Sequence, residues 1–314
     1  MNLLASMRYL VALNEHKHFS RAALSCNITQ PALSNALKAL EVDFGVIIIK
    51  RGRTYAGLTP EGERVLSTAQ RMLHEHKLLQ QELSSQQDKP VGTVCMGAVP
   101  TAMPILARFA ATLQARYEGI KPVVLSLSST ELETGLENLS IDLALGYTDR
   151  MGLQSTKLNA LPQYIEHYFL LRRAAKPHTS ALQIGPRMHW REAAALPLCL
   201  LTPEMHNRTI VDAAFITAGA AIRPVMETNS ILTMALGVVA GNVCSVMPGA
   251  LVGAVRGYRE LEALPLVSPE VRTCIGFMSH SGVRASRAMQ AALNLAQDAA
   301  WLRTAAAHSG LLTA

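Results

Sequence analysis

Apolar positions near the start of the chain fall into three short runs at helical spacing. Leu4, Met7, Leu10, Val11 and Leu13 form one stripe, Ala22, Ala23 and Leu24 a second, and Ala32, Leu33, Ala36, Leu37 and Leu40 a third. Spacings of three and four put each set on one face of a helix. Ser20 reads as the N-cap of the second helix and Thr29 as that of the third, with Pro31 in the first turn, where its missing N–H is harmless. A polar break at Ser25 to Ile28 separates them, and Gly45 is the expected stop. The pattern then changes period. The stretch "VIIIKRGRTYAGLT" reads as a strand, a basic turn carrying Lys50, Arg51 and Arg53 around Gly52, and a return strand. Thr59, Pro60, Glu61 and Glu63 next open a long helix expected to run to about Ser85, with carboxylates near the positive end of its dipole.

On that helix Leu66, Ala69, Leu73, His76 and Leu83 recur at alternating spacings, widened by Val65, Met72 and Leu79. A stripe this long between two domains predicts pairing with the same helix of a second subunit. The simpler alternative is packing against its own C-terminal domain. The polar flank "QQELSSQQDKP" places a linker at Ser84 to Pro90. From Val91 on, short apolar strands alternate with helices, which predicts a parallel α/β architecture. The expected strands are "VGTVCMGAV", "VVLSLSS", "DLALGY", "HYFLLRR", "LCLLT", "AIRPVME", "CSVMP" and "TCIGFMS". The expected helices are Met103 to Tyr117, Glu131 to Asn138, one near Glu192, His206 to Ala218, Ile231 to Ala240 and Ala285 to Leu302.

Two helices joined by a tight break can be an ordinary hairpin with a solvated face or a DNA-reading unit. On the third helix Gln30, Ser34, Asn35 and Lys38 project away from the apolar stripe, and these side-chain types pair with base edges and phosphates in a major groove. The motifs "FSRAA", "TQPALSNALKALE", "FG", "KR" and "LTPEG", in this order and register, resemble the winged helix-turn-helix of the LysR-type transcriptional regulators. Asn35 and Ala36 stand where many relatives have Arg and Gln, and Ile49 where many have Phe, which alters the bases that can be read. "ALGVVAGNVCSVMPGAL" resembles the family's recurrent helix-strand segment, with Val243 replacing a usual glycine.

The resemblance implies an α/β chain with an N-terminal all-α winged helix-turn-helix, a long linker helix, and two α/β subdomains resembling periplasmic binding proteins. The expected boundaries are 1–59 for the DNA-binding domain, 60–90 for the linker and dimerisation helix, 91–303 for the regulatory domain and 304–314 for a tail. Subdomain I takes 91–162 and 267–303, and subdomain II takes 163–266. DNA contact falls to Ser20, Arg21, Thr29, Gln30, Pro31, Ser34, Asn35 and Lys38, with Arg51 and Arg53 on the wing. Dimerisation falls to Leu66, Ala69, Leu73 and Leu83. Ligands in such sheets bind beyond the carboxyl ends of strands, where helix N-termini present free N–H groups. That rule singles out Thr101, Ala102, Ser129, Thr202, Thr228 and Asn229 as effector contacts, with simple helix capping as the competing role of each hydroxyl. Hydroxyls and helix dipoles favour a small anion such as a carboxylate.

Charge agrees with this division. Residues 1–58 hold seven Lys and Arg against three Asp and Glu, a net of +4, which leaves +2 for the rest of the chain. The expected partners are double-stranded DNA, a small-molecule effector, a second copy of the chain in a homodimer or a tetramer built from two dimers, and RNA polymerase, with no membrane. No run of 18 apolar residues and no secretory leader pattern occurs, so a cytoplasmic location is expected.

Five cysteines, Cys26, Cys95, Cys199, Cys244 and Cys274, lack CxxC spacing and read as reduced core residues. The alternative is a redox switch, as in peroxide-sensing members of the same family, which needs an exposed thiol of low pKa with a resolving partner. The pairs His16 with His18 and His74 with His76 read as solvated helix histidines, because residues two apart on a helix face apart; neither a metal nor a cofactor is expected. An enzyme is not expected either, since GxSxG, Walker, GxGxxG and HExxH motifs are absent. A solute-binding protein has the same α/β cleft but no use for "TQPALSNALKALE".

Overall fold

A computed structural model describes residues 2–50, 52, 55–84, 89–151 and 158–309. The chain divides into two compact units, Met1–Gln86 and Gln87–Ala314.

The first unit begins with helices α1 (Leu3–His16), α2 (Phe19–Ser25) and α3 (Gln30–Phe44). Their apolar stripes meet in one core: Leu10 and Leu13 from α1, Ala22 and Ala23 from α2, and Leu33, Leu37 and Leu40 from α3 are all buried. Thr29 caps α3 as expected, its side chain accepting from Ala32 N, and Gly45 ends that helix at φ 66°, a left-handed conformation that favours glycine. The cap of α2 differs from expectation. His18 Nδ1 accepts the Ser20 N–H at 3.2 Å, so Ser20 lies inside the helix and its hydroxyl is not the cap. The wing contributes an isolated bridge between Ile49 and Leu58. Its tip, with Arg51 and Arg53, lies outside the described residues.

Helix α4 (Pro60–Ser84) follows, with Thr59 Oγ1 accepting the Gly62 N–H at 2.9 Å. A Cβ on Gly62 would stand 2.1 Å from the Ile48 carbonyl oxygen, so the glycine of "LTPEG" lets the helix start against the wing strand. Leu66 belongs to the same core as α1 to α3, and Ala69 is wholly buried. The seam expected from Leu66, Ala69, Leu73 and Leu83 is thereby corrected: its N-terminal part is consumed inside one chain. Met72, Leu79 and Leu83 instead carry the exposed apolar surface.

In the second unit the elements run β1 (Gly92–Ala98), α5 (Met103–Arg116), β2 (Ile120–Ser126), α6 (Ser129–Glu137), β3 (Leu143–Tyr147), β4 (Leu158–Glu166) and β5 (Tyr168–Arg173). They continue with β6 (Gln183–Ile184), β7 (Met188–His189), α7 (Trp190–Ala193), β8 (Leu198–Leu201), α8 (His206–Thr217) and β9 (Met226–Thr228). The chain closes with α9 (Ile231–Ala240), β10 (Cys244–Pro248), α10 (Gly249–Ala254), β11 (Leu261–Val267), β12 (Thr273–His280), α11 (Arg287–Ala296) and α12 (Ala299–Ser309). Two sheets result. The first has the order β2-β1-β3-β12-β4, and the second β6-β11-β5-β10-β8-β9, with β7 also paired to β11.

Neither sheet is purely parallel. Strand β12 runs antiparallel to β3 and β4, and β5 runs antiparallel to β10 and β11. These reversals follow from a chain that crosses twice between sheets, at His167 and again at 268–272. Strands β4 and β11 were not expected from the pattern, and β4 carries the first sheet past the boundary placed at 162. The single helix expected over Ala285 to Leu302 is two, because Asp298 Oδ1 accepts from Ala300 N at 2.8 Å and Trp301 N at 3.1 Å and opens a new helix. That helix reaches Ser309, so 304–309 is helical and not a loose tail.

Candidate DNA interface and ligand site

The head presents one polar face. Ser20, Arg21, Thr29, Gln30, Pro31, Asn35 and Lys38 are exposed and Ser34 is half-buried, while Leu33, Leu37 and Leu40 hold α3 from behind. Sequence reading missed Glu41. It looks like a surface carboxylate, yet its Oε1 accepts from Ile48 N at 2.8 Å and Ile49 N at 3.1 Å. Glu41 thus ties the first wing strand to the C-terminal turn of α3, and the wing takes its direction from that tie.

The regulatory half brings together a second group. A narrow polar recess of about 10 Å³, room for about one water, is lined by Thr101, Ser128, Ser129, Tyr147, His206 and Asn207 among others. Each comes from the end of a strand or the start of a helix: Thr101 after β1, Ser128 and Ser129 at α6, Tyr147 at the end of β3, His206 and Asn207 opening α8. Tyr147 is the centre. Its hydroxyl lies 3.1 Å from Thr101 Oγ1 and accepts from Asn207 Nδ2 at 3.1 Å, and its ring meets that of His206 edge-on at 4.8 Å. Burial and the neighbouring Glu166 push the Tyr147 phenol up, so it stays a neutral O–H.

Ser128 and Ser129 divide their duties. Ser128 caps α6: Glu131 N donates to its Oγ at 3.3 Å, and its own N–H donates to Glu131 Oε2 at 2.8 Å. That leaves Ser129 free of capping, and its buried Oγ has no hydrogen-bond partner.

Arg208 steadies the other wall. Its Nη1 donates at 2.7 Å to both the Leu201 carbonyl and Glu227, and its Nε donates to Asp212 at 2.7 Å. The end of β8 and the start of α8 are held together by these bonds.

Four expected contacts fall elsewhere. Thr202 Oγ1 donates to Glu204 at 2.6 Å on the surface and does not line the recess. Ala102 is wholly buried in the first subdomain's core. Thr228 Oγ1 accepts from Ser230 N at 3.1 Å, which fixes the turn before α9. Asn229 lines a separate, larger apolar groove of about 640 Å³ with Ile231, Leu232 and Met103. Tyr147, His206 and Asn207 went unread because the sequence marks none of them as meeting the others; the one signal available was their place at strand and helix ends.

Among the described residues no group of His, Cys, Asp and Glu could hold a metal ion, and no helix is long and apolar enough to cross a membrane.

A winged helix-turn-helix head joined to a two-sheet module with a polar recess between its sheets is the layout of a bacterial transcription regulator. Two family descriptions match: "Bacterial regulatory helix-turn-helix protein, lysR family" over residues 4–63, and "LysR substrate binding domain" over residues 87–301. The chain belongs to the LysR family of DNA-binding transcriptional regulators. Its relatives are regulators and not enzymes. A hydrogen peroxide-inducible genes activator of Haemophilus influenzae is 27% identical over 286 residues, 88% of this chain and 90% of that one. The Escherichia coli K12 dual regulator OxyR is 25% identical over 88% of each chain. Among solved structures, a full-length OxyR variant from Pseudomonas aeruginosa matches with a TM-score of 0.67 at 22% identity, covering 94% of this chain and 97% of that one. CbnR in complex with its target DNA matches at 0.63 and 17%, covering 96% and 99%; both likenesses concern the fold.

Proposed function

We propose that this regulator reads DNA with the exposed face of α3 and is controlled by a small polar molecule, such as a carboxylate, that the recess between the two sheets admits as the subdomains move apart. The observation that carries the second half is Ser129: a buried hydroxyl left unpartnered beside Thr101, Tyr147 and Asn207 is a hydrogen-bonding group awaiting an occupant. Occupancy then shifts the relation of the two subdomains and, through it, the pairing of heads on DNA. The wing arginines Arg51 and Arg53 supply phosphate contacts in this scheme.

A cysteine-based peroxide response is the second reading, and what the relatives are called favours it. The thiols of this chain offer it little. Cys199 and Cys244 lie on neighbouring strands, where Cys244 pairs with Leu198, but their side chains join opposite cores of the sheet, and burial pushes both thiols up. Adjacent register positions facing opposite ways cannot form a disulfide without moving backbone. Cys95 and Cys274 sit on strands separated by β3 and lie beside opposite ends of it, next to Asp142 and Thr148, roughly 20 Å apart at the rise of a strand. Cys26 belongs to the first unit.

Fluorescence anisotropy on DNA from upstream of the protein's own gene separates the readings. Small carboxylates and hydrogen peroxide are titrated against the wild type, Thr101→Val and a variant with all five cysteines changed to Ser. The pocket reading expects the cysteine variant to respond normally. Thr101→Val is expected to lose about 1–3 kcal/mol of effector affinity by removing one donor, with effector-free DNA binding unchanged. A cysteine variant blind to peroxide beside a normal Thr101→Val would replace it with the thiol reading.

On the DNA side, Asn35→Ala is expected to cost on the order of 1–3 kcal/mol and to relax preference at one base pair. Equal weakening on matched and mutated half-sites would remove Asn35 from base reading.

A further inference from the structure

Where the chain first crosses between sheets, it buries a carboxylate. Glu166 is the last residue of β4 and is fully buried. Sequence reading passed over it, since it falls just before the strand expected at "HYFLLRR". Its Oε2 accepts from Thr273 Oγ1 at 3.5 Å, and its Oε1 has no partner. Thr273 begins β12, just after the second crossing, so this one contact joins the two places where the subdomains are linked.

From Thr273 a polar chain runs to the recess. Thr273 Oγ1 lies 3.5 Å from Tyr168 Oη, Asn207 Nδ2 donates to Tyr168 Oη at 3.2 Å and to Tyr147 Oη at 3.1 Å, and Tyr147 reaches Thr101. Asn207 therefore bridges two phenols, one from each sheet. The titratable groups acting with Glu166 are phenols from three strands: Tyr147 on β3, Tyr164 on β4 and Tyr168 on β5, all buried. Outside this cluster His167 stands between Arg272 and Glu270, which pair with each other at 2.7 Å. No cation is among the influences on Glu166; burial opposes its ionisation and only the Thr273 hydroxyl favours it.

We propose that Glu166 is a proton-carrying latch at the crossing: a neutral acid in the arrangement seen here, which gives its proton to solvent water when the subdomains shift and water enters. Subdomain closure, and with it the polar chain leading to the recess, is then linked to one proton. A carboxylate sealed among phenols, with one oxygen unpartnered, is costly as an anion and cheap as an acid. Burial moves its pKa from 4.5 to about 8. The folded form thus holds a proton that the unfolded form has lost between these values, so stability is greatest below 4.5 and falls as pH rises to 8. Across that window the unfolding constant is expected to grow about tenfold per pH unit from this group.

Infrared titration of the full-length protein tests the proposal without any effector. The carbonyl stretch of a protonated carboxyl should persist at pH 7, fall by half around pH 8, be lost above it and be missing from Glu166→Gln, whose stability should also lose this pH dependence. Thr273→Val, which removes the one group favouring the anion, should raise the midpoint. Tyr168→Phe, which cuts the chain toward Asn207, should raise it by about half a unit, roughly threefold in the proton-binding constant. Absence of the band at pH 7 in the wild type overturns the latch, and this needs no variant to fold. A midpoint unmoved by Tyr168→Phe overturns the link to the recess. A third readout is the fluorescence of Trp190, whose Nε1 donates to the Pro269 carbonyl of the second crossing at 2.9 Å, read in a Trp301→Phe background. A pH-independent signal there overturns the tie to subdomain closure.

Discussion

Trp301→Ala is expected to destabilise the regulatory half by about 3–5 kcal/mol, the range for removing a large aromatic from a packed core. Trp301 is only 3% exposed, packs edge-on against Phe109 at 5.0 Å, and donates from Nε1 to Gln163 Oε1 at 2.7 Å. Gln163 in turn donates from Nε2 to the Ala296 carbonyl at 3.0 Å, so the indole completes a buried polar link between β4 and the C-terminal helices. Removing it opens a cavity beside Phe109 and Phe277, whose rings lie 4.5 Å apart, and strands a buried amide oxygen. Trp301→Phe separates the two effects: it keeps most of the apolar volume and should cost about 1–3 kcal/mol through the orphaned acceptor. Calorimetry of the full-length protein checks both. Because the head has its own core, only the regulatory transition should move; a variant as stable as the wild type would mean the site collapses without penalty.

The second large effect concerns assembly. On α4, Leu79 is 53% exposed and Leu83 79%, on a helix whose N-terminal stripe is already buried within its own unit. If these residues seat a second copy of the chain, Leu79→Asp with Leu83→Asp places two charges in a desolvated seam and dissociates the pair. A single head reads one half-site, so specific DNA binding should fall on the order of 10²–10⁴-fold as avidity is lost, while circular dichroism stays that of the folded chain. Sedimentation of the double variant decides: an unchanged oligomer places the contact on another surface. Leu66→Asp is a different experiment, because Leu66 lies in the core and its change should unfold the head.

The head and the sensing half differ in how far they could be read in advance. Helices α1 to α3 were legible because their signals are local: apolar spacing, Thr29 before Pro31, and Gly45 at a left-handed stop all act within a turn or two of chain. The long-helix stripe was legible as apolar, but not as divided. Nothing in the spacing of Leu66, Ala69, Leu79 and Leu83 says that the first two are buried and the last two remain outside. In the regulatory half, Thr101 and Ser129 could be placed because strand ends followed by helices can be found from periodicity. Thr202 had the same credentials and turned instead to Glu204, two residues on.

What the sequence by itself determined is most of the elements and their order, the family, and the stations where polar side chains meet strand ends. Each rests on hydrogen bonds and side-chain periods that span a few residues. Which stations meet was decided only by tertiary structure. Tyr147, Asn207 and Tyr168 stand on three separate elements and touch because two sheets share two chain crossings. Glu41 became a clamp because the wing strand folds back on it. Glu166 became a buried acid because β4, β5 and β12 close around the first crossing, and the energy of a charge depends on what surrounds it, which no neighbour in the chain can specify.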